Sequence, residues 1–389
     1  MRGSPRRSPG RRPESPAWPR DARLSFPRVR LKWYIRAVRG LLHLLTLPCV
    51  AALTPGVASA EPWYDRPSCQ AATQVTMGVD FDEVDAVLSK LERSRDLDDK
   101  ACAVYNRALE SEMRITIYGE TPQTLAFREK HLKRMFGFAK AHAKYGARFR
   151  DLEIEARMRR VRVLFDGGQK TAAMGEARRT SKLLEAHGDS STPTVDFVKG
   201  TMFSALGEAN LLARTALWAA GVSGSADEGT RSLQKLLSSD TVYRHEATYV
   251  ALHFAKEKAK DGANSPFGNP TMLARRLAKS FPSNPQFAYE YAQLLQGQES
   301  CDEALEITQP FVARLESNSG AWTPSIRAKV YLVSASCNLS TGDLAKAGRY
   351  RNLLAKQDFD DLQSELTALS RKLERAQSQV AASSERSGG

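Results

Sequence analysis

From residue 80 onward, apolar and polar positions alternate with the period of an amphipathic helix. In FDEVDAVLSKLERS, Val84, Val87, Leu88 and Leu91 fall at i, i+3, i+4 and i+7, which is one helix face. Comparable runs recur at 98–115, 121–143, 148–165, 171–187, 193–219, 227–238, 242–259, 270–280, 285–297, 301–316, 324–339, 343–356 and 358–378. Short breakers separate them: Tyr118-Gly119, Asp166-Gly167-Gly168, His187-Gly188-Asp189, DGANSPFGNP, FPSNP and SNSG. No series of segments shows the period of two that half-buried strands need. The pattern predicts an all-α chain of antiparallel helix hairpins joined in series.

The first 60 residues follow another rule. Arg30, Lys32, Arg36 and Arg39 precede an apolar stretch from Leu41 to Leu53, and Ala58-Ser59-Ala60 ends it with small residues. Basic, apolar and small-x-small regions in that order are the parts of a secretory signal, with cleavage expected after Ala60. The run is shorter than the roughly 20 residues of a membrane span, and Pro48 and Pro55 interrupt it. Residues 1–28 are rich in Arg, Pro and Ser with little to bury, so they are expected to be disordered. Translation is expected to start at Val29, giving a signal over 29–60, a helical domain over 61–375 and a disordered tail over 376–389.

Removing that leader changes the charge. The chain holds 57 Lys+Arg and 44 Asp+Glu; residues 1–60 contain 12 and 2 of these, leaving 45 and 42 and a net +3. So balanced a domain gives no reason to expect a nucleic-acid partner. Cysteine usage agrees with export: Cys69, Cys102, Cys301 and Cys337 remain, an even number in two near pairs. Three connectivities are open, and local pairing of Cys69 with Cys102 and of Cys301 with Cys337 is the expected one.

Near the C-terminus the hairpins repeat. In YAQLLQGQESCDEAL, Ala292 and Ala304 are 12 residues apart, as are Ala335 and Ala347 in ASCNLSTGDLAKA. This resembles the tetratricopeptide repeat, in which small residues let two helices approach closely; Tyr331 then falls at its large aromatic position and Gly342-Asp343 at its turn. The two pairs are 43 residues apart, longer than the usual repeat, and Ala288 stands at the aromatic position of the first. The run from Gly200 through Gly221, Gly224 and Gly229 to Leu233, with EATYVALHFAKE and LAKSFPSNPQFAYEYAQLL, resembles bacterial exported tetratricopeptide-like proteins. It is more distantly similar to the eukaryotic tetratricopeptide family linked to inclusion-body clearance. The resemblance implies an α-solenoid in which each repeat touches only its neighbours, with no known catalytic residues and no cofactor.

Candidate chemistry is sparse. His245-Glu246 lacks the second histidine of a zinc-protease helix, and FDGGQKT lacks the spacing of a phosphate-wrapping loop. His131 and His142 would sit about 16 Å apart along one helix, too far for a shared metal. One segment is distinctive: residues 128–162 hold 12 Lys+Arg against 4 Asp+Glu, with Phe136, Phe138, Tyr145 and Phe149 interleaved. It is a candidate surface for an acidic peptide, an anionic glycan or a lipid headgroup, with Arg157, Arg159 and Arg160 as its expected binding residues. The reading is a periplasmic or secreted, non-enzymatic scaffold that binds a protein or peptide of the cell envelope, without a membrane span once the signal is cleaved. The alternative is a cell-envelope enzyme, or an accessory subunit of one, with a site assembled from scattered residues.

Overall fold

Several helices open on the same device, a capping residue followed by proline. Asn269 Oδ1 accepts the Thr271 N–H at 2.7 Å and Asn284 Oδ1 that of Gln286 at 2.9 Å. Thr121, Thr192 and Thr323 do the same with their hydroxyls. Each cap pairs an N–H that the helix leaves open, contributing about 1 kcal/mol, while the proline sits where its missing N–H costs nothing.

The computed structural model describes residues 61–188, 191–207, 221, 222, 224–317, 322–357 and 362–387. Ala58, Ala60 and the whole leader lie outside the described residues, as do positions 208–219 of the run beginning at 193. Among the described residues there are fifteen α-helices and no strand. They are α1 (Pro67–Gly78), α2 (Phe81–Arg93), α3 (Leu97–Tyr118), α4 (Pro122–His142), α5 (Ala147–Asp166), α6 (Lys170–His187), α7 (Pro193–Gly207) and α8 (Ala226–Leu237). There follow α9 (Tyr243–Lys260), α10 (Pro270–Ser280), α11 (Pro285–Gly297), α12 (Cys301–Glu316), α13 (Pro324–Ser340), α14 (Leu344–Ala355) and α15 (Gln363–Ser387). Two elements differ from expectation. Helix α1 shows little apolar periodicity because its buried face is built from Cys69, Ala72, Thr73, Thr76 and Met77. Helix α15 runs on to Ser387 where a disordered tail was expected after Arg375; Leu369 and Leu373 anchor its first half, and Ala-rich sequence carries the helix beyond.

Successive helices pack as hairpins: α5 with α6, α7 with α8, α9 with α10, α11 with α12 and α13 with α14. The tightest crossing joins α7 and α8. A Cβ on Gly229 would come within 2.7 Å of the Phe203 backbone carbon, and one on Gly200 within 2.7 Å of Leu233 Cγ. Ala292, Ala304, Ala335 and Ala347 are fully buried, on α11 and α12 in the first hairpin and on α13 and α14 in the second. Tyr331 stacks on Tyr350 with ring centroids 6.3 Å apart. Gly342 turns the chain at φ +86° and Asp343 Oδ1 caps α14 by accepting the Lys346 N–H.

The N-terminal helices depart from a one-dimensional array, in which each element would meet only its sequence neighbours. Helix α3 is buried on every side from Ala101 to Met113 and reaches α11. Tyr64 O accepts the Val242 N–H at 3.1 Å, Met77 O accepts from Asn284 Nδ2 at 2.8 Å, and Ile117 O accepts the Thr323 N–H at 3.0 Å. The later hairpins therefore wrap around α1 to α3. Two cysteine pairs stand at disulfide distance: Cys69 and Cys102, tying α1 to α3 with Cα atoms 5.6 Å apart, and Cys301 and Cys337, tying α12 to α13 at 4.9 Å.

Candidate functional site

Where α3, α5, α7 and α9 meet, the interior holds charge. Glu155 and Arg159 lie one turn apart on α5, so their side chains share a face; Arg159 Nη2 donates to Glu155 Oε1 at 2.6 Å. The same nitrogen donates to both oxygens of Glu246 on α9 at 2.9 Å. The Tyr105 hydroxyl donates to Glu246 Oε1 at 2.6 Å and that of Tyr243 to Glu155 Oε2 at 2.5 Å. Since the single Tyr243 proton is committed, Thr194 donates to the Tyr243 oxygen at 3.0 Å. Trp63, fully buried, closes the cluster with its ring 5.2 Å from Tyr105 and 6.0 Å from Tyr243. Burial pushes the Glu155 carboxyl up, opposed by Arg159 and reinforced by Glu246. Every group in the cluster is engaged by another side chain of the chain, so it acts as an ionic keystone between four helices.

Arg159 therefore does not belong to an outer binding surface; its side chain is 5% exposed and both its carboxylates are internal. Arg157, half-buried, is bound to Glu153 at 2.6 Å and to Glu176 of α6 at 2.5 Å. Only Arg160 of the three is exposed, lying 5.9 Å above the Phe136 ring. The reason is rotational: Arg157 and Arg160, three residues apart, both lie over the Phe136 ring, whereas Arg159 points to the other side of α5 and faces α3 and α9.

Two further polar groupings were not anticipated. Asp151, fully buried on α5, pairs with His187 Nε2 at 2.5 Å and accepts from Thr192 Oγ1 at 2.7 Å, tying the end of α6 to the start of α7. Across α9, α11 and α13, Lys256 donates to Glu290 and, at 3.0 Å, to Gln293 Oε1. Gln286 Nε2 donates to Glu290 Oε1 at 2.7 Å and its Oε1 accepts from Lys329 Nζ at 3.1 Å. Burial would raise the Glu290 carboxyl, but Lys256, His253 and Lys329 outweigh it and hold it below the usual range. His253 lies beside this chain with its Nε2 buried and unpartnered, and burial pushes its pKa down to about 4. Among the described residues no three His, Cys, Asp or Glu side chains gather as metal ligands would.

A further set of charges lies outside. Along α4 and the following turn, Lys130, Lys133, Arg134, Lys140 and Lys144 are all exposed. Lys133 pairs with Glu129 at 3.2 Å and Arg134 with Glu92 at 2.6 Å. Lys130, Lys140 and Lys144 have no ion-pair partner among the described residues. Tyr145 is 55% exposed beside them. Between this face and α3 runs a depression of about 520 Å³ lined by Glu92, Lys100, Val104, Arg134, Gly137, Phe138, Ala141 and His142. Of the aromatics interleaved in the basic segment, Phe149 is core, Phe136 and Phe138 are half-buried, and only Tyr145 is presented to solvent. No family model, no curated protein and no solved structure matches the chain.

Proposed function

We propose that the protein is an exported, tetratricopeptide-like helical scaffold that holds a protein or peptide partner in the cell envelope. The observation that carries this is where charge is matched and where it is not: Glu155, Glu246 and Glu290 are each held by a cation within the fold, whereas Lys130, Lys140 and Lys144 along α4 and the turn after it have no carboxylate partner among the described residues. A buried charge is kept only when it is paired, and an exposed row of one sign attracts a ligand of the other. The cysteine pairs at disulfide distance and the signal-like leader support export, and no helix among the described residues is long and apolar enough to cross a membrane. Tetratricopeptide-like packing is supported by the buried alanine pairs on α11 to α14.

The test is affinity capture from the cell envelope with the tagged protein, followed by quantification of what co-purifies. One partner retained in near-stoichiometric amount, and released by salt, is the expected result. Capture of nothing above a mock control would overturn the scaffold reading. Sequencing the amino terminus of the purified protein tests export, with Glu61 as the expected first residue; peptides from residues 30–55 in the mature protein would refute it.

A further inference from the structure

The exposed face of α4 has its own composition. Ala126, Lys130, Lys133, Gly137, Lys140 and Lys144 follow each other at spacings of four and three, one stripe of the helix surface, with Arg134 and Ala141 beside it. Each small residue is followed by two lysines, so the lysines stand around low ground at Gly137 instead of forming an unbroken ridge. Gly137 is the lowest point: a Cβ built there would meet nothing within 4 Å. The depression between α4 and α3 opens at that position, with Val104 and Phe138 as an apolar floor and Lys100, Arg134 and His142 on its walls. Lys100 and Arg134 line it together with Glu92, and Lys130, Lys133, Lys140 and Lys144 run beside it along the exposed stripe, with Glu129 paired to Lys133.

We propose that this groove is the scaffold's docking site for an extended acidic peptide segment carrying an apolar side chain among its carboxylates. The inference rests on the scaffold reading and names its surface and the partner's chemistry. From Lys130 to Lys144 the row is about 20 Å long at helical rise, which an extended chain covers in six or seven residues. That length suits a polymer better than a small anion. A nucleic acid fits less well, because Glu92 and Glu129 dilute the row to about one excess charge per 7 Å, whereas a duplex carries one per roughly 1.7 Å. A membrane surface also fits less well: interfacial helices present a face of bulky apolar residues to the bilayer, and here Ala126, Gly137 and Ala141 lie between the lysines, with Tyr145 as the one large ring exposed beside them.

The experiment measures fluorescence anisotropy of a labelled eight-residue peptide, six Asp or Glu and two Leu, with the purified protein, alongside its Asn/Gln analogue. Two variants probe the groove. Gly137→Leu fills it with a better helix former, and Lys130→Glu/Lys140→Glu/Lys144→Glu reverses the row; Lys182→Glu on α6 is the control. The acidic peptide should bind, its amide analogue at least tenfold more weakly, and raising salt from about 50 to about 200 mM should weaken it further. Each groove variant should lose at least tenfold with unchanged helicity, and the control should lose nothing. Absence of saturable binding, or binding undiminished by the charge reversal, would overturn the proposal. So would tighter, Gly137-dependent binding of octathymidylate or of phosphatidylglycerol vesicles. Should Gly137→Leu fail to fold, the charge reversal decides alone. Envelope capture separates this site from the scaffold reading: a partner held equally by wild type and by the charge reversal sinks the groove alone, whereas a wild type that captures nothing sinks the scaffold alone if the peptide still binds.

Discussion

Replacing Arg159 by Met should remove the guanidinium that buried Glu155 and half-buried Glu246 share. Glu155 has no exposure and sits 2.6 Å from Arg159, and Glu246 is held through both oxygens at 2.9 Å. Removing one member of such a buried group leaves charge uncompensated and costs about 3 to 5 kcal/mol. The loss depends on pH in a direction the structure fixes. Burial already pushes the Glu155 carboxyl up, and without Arg159 it rises further. A carboxyl whose folded pKa lies above its unfolded value contributes stability that is present below the unfolded pKa and is lost as pH rises through the folded one. The variant should therefore trail the wild type most at pH 8 and recover part of the difference toward pH 5. Adding Glu155→Gln and Glu246→Gln keeps acceptors for Tyr105 and Tyr243 and removes the stranded charge, so the triple variant should regain most of the loss. Urea unfolding followed by far-UV circular dichroism at both pH values reads all three. A loss under about 1 kcal/mol at pH 8, or a triple variant no better than the single one, would refute the keystone.

Two mid-helix glycines should respond oppositely to alanine. Gly229→Ala forces a methyl against the Phe203 and Ser204 backbone and should cost about 1 to 3 kcal/mol, whereas Gly137→Ala meets open space and should stabilise by roughly 0.5 to 1 kcal/mol; equal midpoint shifts in urea would contradict the crossing. His131, His245 and His253 are each pushed down to about 4, burial being the largest cause. A depressed histidine contributes stability above its unfolded pKa and loses it as pH falls through the folded one, so the midpoint should drop between about pH 6.5 and 4, and ring resonances of these three should not titrate above about pH 5. A ring among them titrating near 6.5 would show that it is solvated. Digestion without reduction should yield linked peptides containing Cys69 with Cys102 and Cys301 with Cys337, and Cys102→Ser should cost about 2 to 5 kcal/mol; four free thiols in protein from its native compartment would count against both pairs and against export.

Helices and their ends were readable because local chemistry decides them. Asn284-Pro285 starts a helix wherever it is placed, and Gly119, Gly188 and Gly342 end segments through φ values of +79°, +62° and +86° that other residues avoid. What wraps around what was not readable. Helix α3 carries Arg107, Glu110 and Glu112 among its buried residues, so its polarity disguises a central helix as one with a solvated side. Glu110 is paired within α3 itself, to Arg107 and Arg114, but the meeting of Arg107 with Asp85 and Glu92 of α2, which makes its burial tolerable, is tertiary. The basic segment suffered the same ambiguity. Its charge was legible as composition, but composition does not say which arginine points inward. On α5 the i, i+4 pairs Glu153 with Arg157 and Glu155 with Arg159 look alike in the sequence, and only the second faces Tyr105 and Glu246. The depression beside α4 was not legible because its lining comes from α2, α3 and α4, which are separated along the chain.

The first cysteine pair anchors a helix whose own packing is light. Helix α1 buries mainly small residues and presents Gln70 and Gln74, which reach across to the Asp240 and Ser280 carbonyls. Hydrogen bonds through exposed glutamines contribute little net stability, so the covalent tie from Cys69 to Cys102 on the fully enclosed α3 supplies what packing does not. At the other end, Leu366, Leu369 and Leu373 seat α15 on the helices before it. The tie from Cys301 to Cys337 holds α12 to α13 across the connection from Glu316 to Pro324, which is longer than the turns on either side of these two helices.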